Sequence, residues 1–170
     1  MPTIGLLHCD RDQLGSSYAP VRSSELREAR VDGWLLGHSH KPDDLSGERP
    51  DGYLGSLTGM DPGEPGAHGP WLLEVAGDGR IAMEQVPLAP LRWTELDVPV
   101  DGLEAAEDVH RLITEMIEAC HAEVGAASHR PDAVGCRLRL TGRSGLRAAI
   151  ERSLNADDPK AGVYERDGIV

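Results

Sequence analysis

A chain of 170 residues with 29 acidic and 17 basic side chains, a formal charge of −12, is long enough for one domain of ordinary size, or one and a fraction, with a real core. No stretch is long and apolar enough to span a bilayer, and the N-terminus lacks the charged and apolar regions of a signal peptide, so a soluble, cytoplasmic protein without a membrane partner is expected. The acidic balance argues against duplex nucleic acid in general, yet six arginines between Arg130 and Arg152 meet only Asp132 and Glu151, so that window carries +4 and the remainder −16.

The first element, "TIGLLHCD", is a short apolar run ending in His8 and reads as a buried strand. "SSELREAR" reads as a short helix capped by Ser23 or Ser24. "VDGWLLGHSH" is a second buried strand. From Lys41 to Pro70 the chain is crowded with Gly, Pro and Asp and reads as structured loop, with "DGYLGSL" as a strand inside it. "PWLLEVAGDGRIAMEQVPL" is a hairpin turning at "GDG". Prolines in "PLAPLRW" mark a boundary, giving expected domains of 1–90 and 91–154. Beyond it "LRWTELDVPV" is a strand, and "DGLEAAEDVHRLITEMIEACHAEV" is the one long helix, with Asp101 and Glu104 at capping-box spacing. "AVGCRLRLTGR" alternates, with Val134, Cys136, Leu138 and Leu140 on one face and Arg137 and Arg139 on the other. "SGLRAAIERSL" closes the second unit as a helix, and 155–170 is expected to be a flexible tail. There is no internal repeat.

The three cysteines are irregularly spaced and read as reduced thiols. The histidines carry more. "GHSH" puts His38 and His40 where an apolar strand runs into a turn, and "LLH" delivers His8 from the end of another. Imidazoles at the carboxyl ends of buried strands are rigidly held and leave coordination positions open for substrate. A hydrogen-bonded surface residue is the competing reading of such a histidine; His68, His110, His121 and His129, without this setting, are read as surface or structural.

"IGLLHCD", "VDGWLLGHSHKP", "DGYLGS", "EPGAHGPWLLEV" and "PLAPLRWTELDV", in this order and spacing, closely resemble the second half of calcineurin-like metallophosphoesterases of the SbcD type, DNA repair exonucleases that act with an SMC-like ATPase subunit. "CRLRLTGR" resembles a strand of that family's small capping domain. The resemblance implies an α/β (α+β) fold: the second half of a β-sandwich flanked by helices, plus a small α+β cap. It implies two divalent metal ions, most often Mn2+, with His8 and His38 as ligands of one and His40 of the other. It also implies DNA as substrate.

The family's first-half motifs, a D-x-H near its N-terminus, a bridging Asp after Gly, and a G-N-H, have no counterpart ahead of His8 in this sequence. The resemblance therefore implies a missing N-terminal half as a partner, no catalytic residue assigned within this chain, and little or no nuclease activity alone. Asp10, Asp12, Asp43 and Asp44 lie near the histidines in sequence and could add one weak site; Asp43 and Asp44 read better as solvated turn residues. A non-catalytic module that binds DNA or the ATPase through Arg137, Arg139 and Arg143 stays open, as do a general phosphoesterase and a homo-oligomer formed through an exposed sheet edge. The loop after "DGYL" could bring Gly55 and Ser56 to a phosphate, or be an ordinary turn.

Overall fold

The structure, a computed structural model, describes residues 1–127 and 129–156. It is a mixed α/β protein of two compact units, one made of Met1–Met60 with Ala67–Ala89, the other of Asp61–Gly66 with the chain from Pro90.

The first unit begins with β1 (Ile4–His8), β2 (Asp10–Arg11), β3 (Pro20–Val21), α1 (Ser23–Glu28), β4 (Gly33–Gly37) and β5 (Asp51–Tyr53). β1, β4 and β5 form one parallel sheet in that order, and β2 pairs with β3. The register places Leu7 beside Leu36 and Leu36 beside Tyr53, so three side chains share one face. That row joins Cys9 and Leu26 in a core flanked by Val21 and Trp34, and Leu36 and Cys9 are fully buried. The other face of β1 is open, with Leu6 74% exposed.

The short helix is anchored differently from the sequence expectation. Arg22, not Ser23 or Ser24, occupies the cap position, and its backbone N–H donates to the Glu25 carboxylate at 2.7 Å. Ser23 is already helical, and its hydroxyl and amide both donate to Asp12. These bonds hold the Asp12 carboxyl below its ordinary range. β6 (Trp71–Val75) and β7 (Ile81–Gln85) form the expected antiparallel hairpin, closed over Gly79 at a φ of +87°. The Trp71 indole donates to the Leu54 carbonyl at 2.8 Å and fixes the hairpin to the end of β5.

In the second unit, β8 (Leu91–Pro99) and β9 (Ala133–Thr141) pair in parallel over nine rungs, each joining residues 42 apart. α2 (Asp108–Gly125) supplies the crossover, and α3 (Arg147–Ala156) follows β9. Val100, Ala106, Val109 and Ile150 form the core here. His110 of α2 meets the Ser153 hydroxyl of α3 at 2.8 Å, the structural role expected of it.

α2 starts seven residues later than the sequence pattern suggests. Asp101 does not cap it: its carboxylate accepts the Arg143 backbone N–H at 2.8 Å, continuing the 42-residue offset of the strand ladder, and Gly102 turns the chain at a φ of +76°. Asp108 instead accepts the Ala105 N–H at 3.2 Å. α3 includes Asn155 and Ala156, so the first residues of the expected tail are helical. Residues 157–170 lie outside the described residues.

Candidate functional site

Parallel pairing of β1 with β4 sets His8 beside Gly37, and the next residue is His38. A β-carbon on Gly37 would lie 2.8 Å from His8 Nδ1, so only a residue without a side chain lets the imidazole fold across the strand end. The His8 and His38 rings meet edge to face, centroids 5.2 Å apart.

His38 itself is strained. Its φ of +106° lies in the region that disfavours a β-carbon, at a typical cost of about 1–3 kcal/mol, so its surroundings must hold it there. Two contacts do so, one of them backed by Ser16. Its Nε2 lies 3.0 Å from Oδ1 of Asp10, a buried carboxylate. The other Asp10 oxygen accepts the Ser16 hydroxyl. The Tyr18 ring stacks on the imidazole, centroids 5.2 Å apart and planes 28° from parallel. Asp10 is fixed in turn by its N–H, which donates to the Tyr18 carbonyl at 2.9 Å.

These groups line an open depression of about 980 Å³ whose walls include Asp10, Ser16, Tyr18, His38, Ser39 and Tyr53. Tyr53 ties its floor together: its hydroxyl donates to the Cys9 carbonyl at 3.1 Å and accepts the Arg11 N–H at 2.7 Å. Arg11 lies over the Tyr53 ring, 5.0 Å from guanidinium carbon to centroid, and donates to Asp43 at 2.8 Å. Cys9 is no candidate thiolate, because burial pushes its pKa up.

The other sequence candidates are distributed as follows. His40 is exposed, and its carbonyl accepts the Ser56 N–H at 2.9 Å. Gly55 has a φ of +76°, and a β-carbon there would meet the His40 carbonyl oxygen at 2.9 Å. This loop therefore latches onto the GHSH turn, and the Ser56 amide is committed to that turn. The Ser56 hydroxyl and carbonyl both lie against Nδ1 of buried His68, at 3.2 and 3.1 Å. Asp43 is not a solvated turn residue, since it accepts from both Arg11 and the Tyr53 N–H. Asp44 does cap an exposed turn, bonded to Ser46.

In the second unit the outward face of the β8–β9 ladder alternates acid with arginine. Arg139 makes a two-point bond to Asp97 at 2.6 and 2.9 Å, and Arg137 lies 3.7 Å from Glu95. Their charge is largely offset. Arg143 is exposed at the end of β9.

The donor set does not by itself make a metal centre. His8, His38 and Asp10 lie together, but the Asp10 oxygens are already engaged. Among the described residues no group of three or more His, Cys, Asp or Glu is placed to hold a metal ion. His40 does not join His8 and His38 in such a group. Sequence reasoning missed Ser16 and Tyr18 altogether; an aromatic and a hydroxyl in the loop after "HCD" were the only signals available.

Residues 93–164 match the family model of the middle domain of the metallophosphoesterase YhaO. The match covers fewer than half of the residues and lies wholly in the second unit, outside the imidazole cluster. Over that stretch the chain is similar to a metallophosphoesterase family. No curated protein matches the chain. Among the described residues no helix is long and apolar enough to cross a membrane.

Proposed function

We propose that this chain is part of a metal-dependent phosphodiester hydrolase acting on DNA, of the SbcD exonuclease type. In this reading it supplies His8, His38 and His40 to a centre of two divalent cations, proposed to be Mn2+, whose remaining ligands come from the missing first half of the domain. The observation that carries it is His38, held at a φ of +106° against His8: a fold that maintains such strain at a strand end commonly does so for a site. The metallophosphoesterase match at 93–164 supports the phosphoesterase part of this reading.

The exposed outer face of β1 supports the missing-half partner. Parallel sheets are normally covered on both faces, and Leu6 is left bare. With the donor set incomplete, the chain alone binds a cation weakly and does not cleave. The general phosphoesterase alternative shares this site and differs only in substrate. For the binding-module alternative, and for contact with an SMC-like ATPase, Arg143 is the better candidate, since Arg137 and Arg139 are engaged by Glu95 and Asp97.

The test is a Mn2+ titration of the chain by calorimetry, run beside Mn-dependent hydrolysis of linear duplex DNA. We expect weak binding that is lost in His8→Ala and in His38→Ala, with no cleavage above background. No Mn2+ binding at millimolar concentration refutes the metal role. Cleavage that disappears in His40→Ala refutes the incompleteness of the chain.

A further inference from the structure

We propose that Asp10 is a positioning residue for His38: its carboxylate accepts the Nε2 proton, fixes the tautomer with the lone pair on Nδ1, and holds the imidazole on its strained backbone. An ionised carboxylate offers lone pairs and no proton, so the proton in the 3.0 Å contact belongs to the ring. Neutral imidazole carries one N–H, and Nδ1 is then an acceptor. The second oxygen of Asp10 is occupied by the Ser16 hydroxyl, and its amide is tied to the Tyr18 carbonyl, so the carboxylate has little freedom to turn away. Tyr18 closes the third side by stacking on the ring. One loop, 12–18, thus orients Asp10, and through it His38.

Asp10 sits beside the imidazoles as an orienting carboxylate, not as a third ligand, and His38 has only Nδ1 to offer. A carboxylate behind a ligating histidine fixes ring orientation and raises its basicity, and its loss typically lowers metal affinity 10–100-fold. The cation part of this inference rests on the reading proposed above; the tautomer part does not.

The experiment uses the full chain labelled with 15N and without added metal. Long-range proton–nitrogen correlations of the His38 ring are assigned by comparison with His38→Ala. We expect a protonated Nε2 protected from water exchange and an unprotonated Nδ1. Exchange should become about tenfold faster or more in Asp10→Ala, the change expected when a hydrogen bond to a charged group is lost. Asp10→Asn, whose amide oxygen still accepts, should restore part of the protection, and Ser16→Ala should keep most of it. A proton on Nδ1 in the wild-type chain, or protection unchanged in both Asp10→Ala and Asp10→Asn, overturns the proposal. The wild-type spectrum decides even if Asp10→Ala does not fold.

Adding Zn2+ as a diamagnetic probe separates the two readings. A shift at His38 Nδ1 with the Nε2 proton retained supports both. Displacement of the Nε2 proton overturns the role of Asp10 and leaves the metal reading standing. No response of any His8 or His38 nitrogen overturns the metal reading, and the exchange data alone then decide Asp10.

Discussion

The strain at His38 predicts an inversion of the usual order of alanine and glycine. Both His38→Ala and His38→Gly remove the imidazole, its bond to Asp10 and its stacking on Tyr18, so those losses cancel when the two variants are compared. What remains is the backbone. At an unstrained position Gly is less stable than Ala by about 0.5–1 kcal/mol, because it loses more freedom on folding. At a φ of +106° the β-carbon of Ala carries a strain of about 1–3 kcal/mol that Gly does not. The difference favours His38→Gly by about 1 kcal/mol. With a urea dependence of about 1–3 kcal/mol per molar, that moves the unfolding midpoint by roughly 0.3–1 M. Urea titrations followed by tryptophan fluorescence read it directly, since Trp34 packs on the core of the same unit. If His38→Ala proves as stable as His38→Gly, or more so, the backbone is not strained there and the argument for an invested site fails.

Three further outcomes follow from other parts of the molecule. Leu36→Ala should lose about 3–5 kcal/mol in the same titration, because Leu36 is fully buried between β1 and β5 where the sheet cannot collapse into the gap. Cys136 is pushed up to about 11, first by burial and then by the neighbouring Cys120 thiol. A folded-state pKa raised above the unfolded value of about 9 gives stability that is whole below pH 9 and is lost as pH rises towards 11, by at most about 3 kcal/mol. Urea midpoints at pH 8 and pH 10.5 should show that fall, and Cys136→Ala should flatten it. If the second unit contacts duplex DNA, Arg143→Ala should reduce the salt dependence of binding by about one counterion, while Arg139→Ala should change it little; anisotropy titrations at several salt concentrations separate the two.

Apolar runs made most of the fold legible. "IGLLH", "GWLLG", "LRWTELDVP" and "AVGCRLRLT" are strands close to where the pattern places them, and "GDG" closes its hairpin. The start of the long helix was not legible, because the capping-box spacing of Asp101 and Glu104 is a local signal and Asp101 is captured by Arg143, 42 residues away. The arginine stripe of β9 was legible, but its neutralisation was not, although Glu95 and Asp97 sit at the same alternation and the same offset of 42. The meeting of His8 with His38 depends on parallel register, which follows from neither strand taken alone. The place of Asp10 between Ser16 and His38 depends on a loop that has no periodicity to read. A candidate site was thus visible as residue types, and its geometry was not.

The parallel pairing of β8 with β9 also bears on how the chain reaches its fold. Nine rungs at a constant separation of 42 residues cannot form step by step from a turn, as the β6–β7 hairpin can. The ends of the loop between the strands must first meet, at a length-dependent entropic cost of about 3 kcal/mol for a loop of this size, before any rung repays it. α2 can form locally in the meantime, whereas β9 waits with Leu138 and Leu140 uncovered, residues that stay partly exposed even in the finished unit. Folding of this unit should therefore be slow for its size and sensitive to protein concentration, with the association hazard confined to one late strand.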